Sequence, residues 1–371
     1  MESINWVQLP FAFVSPGDVL AAGIVLPLVC LGLNVLRFRI RVTQKAPFGI
    51  DDWCSLTGNI FITGIGACFI VGERLGVMGY PTPVPSGTQA SEAYGLFLDA
   101  YTLEAKARMQ LQFAIQFLMA FAYVFVKASI VLFCRRIFVA HRGSIFDWAS
   151  RIILGIAILW SAGFLIGGLI FGCGKHVELH WSPLQALVEA GCDASTPEVA
   201  LVISDLILDI IILILPLPSI WALSMSKYRK VAITTVFLIG LTSIAASAAR
   251  AAIYLTVLYA GYGAGYDINQ TVTTLLWWSM LEVSLAAIAA CLPTLSLLAK
   301  DARLRMFFQR LGSISNISGS WHIWKSLSEN SGNSKDTDYA LDSVYIGPPN
   351  HSQKQPTDSR TQIVEEYEHQ K

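Results

Sequence analysis

Residues 204–218 read "SDLILDIIILILPLP", and the reading of this stretch decides the fold. Leucine, isoleucine and proline surround two aspartates, Asp205 and Asp209, and the apolar run extends over roughly 199–223. It lacks the period-two alternation of a half-buried strand. At about 1.5 Å per residue, a helix of this length crosses a hydrocarbon layer about 30 Å thick. A charged residue at the centre of such a helix costs about 2.5–3.5 kcal/mol on insertion scales. The two aspartates are spaced i, i+4 and share one face. That face must turn from lipid toward other helices, so the stretch predicts one member of a membrane bundle.

The rest of the chain supplies the bundle. Of 371 residues, 54% are hydrophobic and only 14% charged, against about 25% charged in a soluble domain. Seven apolar runs long enough to span a bilayer fall at roughly 17–36, 52–72, 109–133, 152–172, 199–223, 231–260 and 272–298. Runs this long and unalternating are helices rather than barrel strands. The expected fold is all-α, a seven-transmembrane helix bundle without an internal repeat. The first 16 residues lack a basic segment, so no cleaved signal peptide is expected.

Charge sets the expected orientation. Arg37, Arg39, Arg41 and Lys45 follow the first run, Arg135, Arg136, Arg142 and Arg151 surround the gap after the third, and Lys227, Arg229 and Lys230 follow the fifth. The alternate gaps hold Arg74, Lys106 and Arg108, then Lys175, then none. Because Lys and Arg concentrate in cytoplasmic loops, the N-terminus is expected outside and the C-terminus in the cytosol. The net charge of zero gives no reason to expect a nucleic-acid partner.

The domain reading follows. Residues 1–16 are a short extracellular or lumenal N-terminus, and 17–298 the membrane domain. The segment 299–311, "AKDARLRMFFQRL", sets Leu304, Phe307, Phe308 and Leu311 against a basic face, as in a helix lying on a membrane surface. Residues 312–371, rich in Ser, Asn, Gly and charge, are expected to be a disordered cytosolic tail.

Smaller motifs carry their own expectations. Cys173 and Cys192 fall in one outer loop, where an oxidising compartment permits a disulfide worth roughly 3 kcal/mol in a chain-entropy model. Cys30, Cys54, Cys68, Cys134 and Cys291 lie in or beside helices and read as packing. His176 and His180 in "CGKHVELHW" are four apart, a metal-ligand spacing if the segment is helical. No third ligand is evident, so exposed histidines without a metal are expected. Asn269 heads the sequon "NQT" close to the last helix. The glycine pairs Gly163/Gly167 and Gly168/Gly172 are expected to mark close helix contact.

The charged positions inside the runs form two expected layers. Asp205 and Asp209 lie about 6 and 10 residues in from Val199, Arg250 about 10 from Ala260, and Glu282 about 10 from Val272. At roughly 1.5 Å per residue these four share one depth in the outer half. They predict an Arg250-centred network with Asp209 or Glu282 as its closest partner, and Asp205, Asp209 and Glu282 as candidate acid–base groups. Lys127, deep in "AYVFVKASIVLF", is assigned to a second layer nearer the cytosol, within reach of Asp51, Asp52 and Asn59. A packing role and a ligand-binding role weigh about equally for both layers, since buried ion pairs are weak evidence for either.

Several motifs in order resemble the fungal rhodopsin-like integral membrane protein family, which includes a satratoxin-cluster membrane protein and orphan receptors linked to plant pathogenicity. They are "DDW" at Asp51–Trp53, "YVFVKASIVLFCRRIF" from Tyr123, "SDLILDIIILILPLPSIWAL" from Ser204, then Gly240, Arg250, and "WWSMLEVSLAAIAACLPTL" with Glu282 and Pro293. The resemblance covers roughly residues 20–300. It implies a multi-pass protein of plasma membrane or endomembrane, in a fungal secondary-metabolite pathway of mycotoxin type, trichothecene or satratoxin being the model. Such a protein acts on or binds an apolar small molecule, without a cofactor. The resemblance also allows an orphan G-protein-coupled-receptor-like sensor with a G protein as partner, or a metabolite transporter. Helix 7 holds no lysine, and Lys300 lies beyond its end, so a retinal Schiff base there is not expected.

Overall fold

The computed structural model describes residues 9–82, 102–139, 143–170, 176–183, 186, 189–190, 195–218, 227–261 and 265–296. Among them the regular elements are all helical. Seven α-helices follow one another: α1 (Pro16–Thr43), α2 (Ile50–Arg74), α3 (Leu103–Phe138), α4 (Ile145–Gly163), α5 (Ser195–Ile214), α6 (Lys227–Ala260) and α7 (Ile268–Ser296). A π-helical run, Phe164–Ile170, continues α4, and a 3-10 helix covers Val177–Trp181. All helices but α5 are long and apolar enough to cross a membrane. α5 holds Glu198, Asp205 and Asp209 within 20 residues, which sets it apart. Cys173, Cys192, the segment 299–311 and the tail 312–371 lie outside the described residues.

Local chemistry fixes where helices begin. Ser15 and Asp18 cap α1 reciprocally: Ser15 Oγ accepts from the Asp18 N–H at 3.3 Å, and the Ser15 N–H donates to Asp18 Oδ2 at 3.1 Å. Thr102 and Ser144 cap α3 and α4 through their hydroxyls. Each cap satisfies a backbone donor that the first turn leaves unpaired.

The inside of the bundle is apolar through Ile62, Ile65, Phe69, Ile115, Val126 and Met280, all at most 2% exposed. The outside is apolar too: Leu28 is 61% exposed and Leu159 74%. An apolar exterior this extensive suits lipid rather than water. The chain is a multi-pass integral membrane protein.

Close packing of α1 on α2 rests on Gly23 and Gly66. A Cβ on Gly66 would stand 2.5 Å from the Gly23 carbonyl oxygen and 2.6 Å from Pro27 Cγ. Gly163, Gly167 and Gly168 do not play the expected role. Among the described residues, a Cβ on Gly163 or Gly167 would meet nothing within 4 Å, and one on Gly168 only Phe164 of its own turn. Gly163 and Gly167 are exposed, one ending α4 and the other in the π-helical run, so they face outward instead of a partner helix. Gly172 lies outside the described residues.

The end where α7 begins is closed by polar ties. Asp267 accepts from the Thr82 N–H and hydroxyl, both at 2.8 Å, and from the Gln270 N–H at 3.0 Å. Asn269 is 3% exposed and donates its amide to the Tyr80 carbonyl at 2.7 Å. The fold leaves no room for a glycan at Asn269: sequence shows the sequon but not the burial of its side chain.

Candidate functional site: a buried ionic network

Five ionisable side chains from four helices meet in one buried layer. Lys127 of α3 places Nζ 2.5 Å from Asp205 Oδ1 and 2.6 Å from Asp209 Oδ1, both on α5. Arg250 of α6 places Nη2 2.5 Å from Asp205 Oδ2 and 3.0 Å from Glu282 Oε2 on α7. Asp205, fully buried, is the hub that joins both cations. Ser247 donates to Asp209 Oδ2 at 3.0 Å, and Ser279 Oγ accepts from Arg250 at 3.4 Å.

Aromatic rings complete the enclosure. Lys127 Nζ lies 5.3 Å from the ring centres of both Tyr123 and Trp160. Arg250 Cζ lies 5.7 Å from the Tyr123 ring. Cations over aromatic faces gain electrostatic attraction, most where water is excluded. Trp160 Nε1 is anchored on Ser204 Oγ at 2.7 Å, one residue before the hub.

Two expectations need correction. Arg250 has Asp205 as its closest partner, not Asp209 or Glu282; Asp209 is held by Lys127 instead. Lys127 takes its ion-pair partners from α5, Asp205 and Asp209, and not from Asp51 or Asp52. Side chains on a helix lean toward its N-terminus. α3 runs toward the end where α2 begins, so Lys127 leans away from Asp51 and Asp52 and into the α5 carboxylates. Asn59 is 2% exposed, and its amide has no hydrogen-bond partner among the described residues.

Asp51 and Asp52 belong to a second network, at the basic end. Arg37 donates to Asp52 Oδ1 at 2.7 Å, to Asp51 Oδ2 at 2.6 Å and to the Ala290 carbonyl of α7 at 2.6 Å. Arg41 and Arg136 reach Asp51 at 3.2 and 3.3 Å. Asp52 also accepts from the Gly49 N–H at 3.0 Å, capping α2. Sequence reasoning counted Arg37 and Arg41 as loop charges. The missed signal was their own i, i+4 spacing: α1 continues to Thr43 and turns both inward.

His176 and His180 are not presented as an α-helix would present them. Val177–Trp181 is a 3-10 helix, whose residues align at i, i+3 rather than i, i+4. His180 packs edge-on against Phe113 at 5.1 Å. Oxygens of Asp205, Asp209 and Glu282 approach within 4.8 Å of one another, a possible cation-ligand set. Lys127 and Arg250 already supply positive charge at that position. An open groove of about 520 Å³ runs along α6 and α7, lined by Ala245, Ala249, Ala252, Trp278, Leu281 and Leu285, and the five network side chains are not among its lining.

The fungal rhodopsin domain family model matches residues 36–301, from the last turns of α1 through α7. The chain belongs to the fungal rhodopsin domain family. All five members of the network fall inside the match. Among curated proteins, the chain is similar to Fugralins biosynthesis cluster protein 2 of Gibberella zeae, 27% identical over 186 residues. That alignment covers 49% of this chain and 44% of the relative, so the chain spans less than half of that protein's length. No solved structure gives a significant match.

Proposed function

We propose that the protein serves a fungal secondary-metabolite pathway, where it binds or acts on an apolar small molecule at the Asp205-centred network. The network itself carries this reading. Packing alone gives little reason for it, because buried ion pairs are often no more stabilising than apolar residues of similar volume. Ionisable groups inside membrane segments mark functional sites by default. A carboxyl in a water-poor site inside the bundle is suited to general acid–base chemistry on an apolar substrate. The biosynthesis-cluster relative supports the metabolic setting, and a mycotoxin of trichothecene or satratoxin type is the finer reading.

A ligand sensor working through a G protein is the second reading. It draws on the Arg37 network, which ties α1, α2, α3 and α7 at the opposite end of the bundle, where a partner protein would detect their movement.

The test is deletion of the gene with metabolite profiling, then complementation by the wild type or by an Asp205→Asn/Glu282→Gln double variant. Membrane abundance is measured in parallel. The wild type should restore the missing compound, and the double variant should not, at equal abundance. An unchanged metabolite profile after deletion refutes the pathway reading. A lost response to an external cue, with metabolites intact, favours the sensor.

A further inference from the structure

The charges of the buried network do not cancel. Lys127 and Arg250 bring two positive charges, while Asp205, Asp209 and Glu282 bring up to three negative ones. An uncompensated charge inside a membrane bundle is costly, and one proton removes it.

The hydrogen bonds indicate where that proton sits. Asp205 receives Lys127 on one oxygen and Arg250 on the other, each at 2.5 Å. Asp209 faces Lys127 at 2.6 Å and accepts the Ser247 hydroxyl at 3.0 Å. Both aspartates are therefore solvated as anions by donors. Glu282 differs. It is 1% exposed, and neither of its oxygens accepts a hydrogen bond among the described residues. Arg250 Nη2 lies 3.0 Å from Oε2 as an ion pair without hydrogen-bond alignment, while one of its two N–H groups donates to Asp205. A carboxylate oxygen of Glu282 lies within 4.8 Å of one of Asp205. Two anions there would repel, whereas a proton on one converts the contact into a charge-assisted O–H···O⁻ bond.

We propose that Glu282 holds one proton, donated toward Asp205, and is the exchangeable acid of the site. The titratable groups facing it are Asp205 and Asp209 on α5, Arg250 on α6, and Lys127 and Tyr123 on α3. Tyr123, whose hydroxyl has no partner among the described residues, is neutral as it stands and leaves the count unchanged. Proton transfer to or from Glu282 needs no oxidant or metal. The inference deepens the acid–base reading above but rests on charge count and hydrogen bonding alone. It is measured without substrate, so its failure leaves the pathway reading standing.

Infrared spectroscopy of the purified wild-type protein in lipid tests it. A carbonyl band of a protonated carboxylic acid should be present and should shift when glutamate, but not aspartate, carries ¹³C in its carboxyl. The band should be absent from Glu282→Gln. It should also be absent from Asp209→Asn, where the remaining charges already balance. No carboxylic-acid band in the wild type, a shift with labelled aspartate only, or survival of the band in Glu282→Gln would overturn the proposal. Labelled glutamate alone does not separate Glu282 from Glu198 of α5, so loss of the band in either Glu282→Gln or Asp209→Asn identifies the residue, and the two variants give two independent chances of accumulating.

Discussion

Lys127 carries more of the site than any other cation, because both α5 aspartates depend on it at 2.5 and 2.6 Å. Removing one partner of a buried pair leaves charge without compensation and costs about 3–5 kcal/mol. Lys127→Met should therefore sharply lower both the melting temperature in detergent and the membrane yield. Asp209→Asn should cost less. An amide oxygen still accepts from Lys127 and Ser247, and the substitution also brings the network's charges into balance. Thermal unfolding of the two variants beside the wild type decides the ranking. A Lys127→Met protein that melts with the wild type would mean that the network does not stabilise the bundle.

Helices pack here through a few close approaches, and the α1–α2 contact is the tightest to argue. Gly66→Ala would drive a methyl into the Gly23 carbonyl at 2.5 Å, where backbone cannot give cheaply. Overpacking of this kind costs about 1–3 kcal/mol. Gly32→Ala, on the same helix as Gly23, meets nothing within 4 Å. It gains about 1 kcal/mol of helix propensity. The expected result is a lower melting temperature for Gly66→Ala and an equal or higher one for Gly32→Ala. Equal melting of both variants and the wild type would show that α1 and α2 tolerate separation.

At the scale of the whole molecule, the two ends of the bundle differ in charge. One gathers Arg37, Arg41, Arg135, Arg136 and Arg151; the other is tied by Asp267, Thr82 and Asn269. The positive-inside rule predicts that the basic end is cytoplasmic. Protease protection of terminal tags in sealed vesicles checks this: a tag at the C-terminus should be cut only from the cytoplasmic side. Cutting from the opposite side would reverse the assignment. In the same material, glycosidase treatment should leave mobility unchanged so far as Asn269 is concerned, because its side chain is buried against the Tyr80 carbonyl. A glycopeptide carrying Asn269 would contradict the packing of that end.

The sequence by itself determined the helices and the need for a polar interior. Long apolar runs and capping residues act locally, so the apolar part of "SDLILDIIILILPLP" favours a helix, which α5 follows as far as Ile214, with a turn at Leu215–Pro216. The i, i+4 spacing of Asp205 and Asp209 then forces both to one face, and hydrocarbon forces that face inward. Depth counted along each run was enough to group Asp205, Asp209, Arg250 and Glu282. It was not enough to pair them. Pairing depends on the rotation of each helix about its axis and on the direction in which side chains lean. Only the tertiary structure decides these: it brings Lys127 to α5, makes Asp205 the hub, and turns Arg37 and Arg41 onto Asp51 and Asp52. Gly66 and Gly163 make the same point from the other side. Both are glycines in helical segments, but only the packed bundle sets one against a carbonyl and leaves the other beside open space.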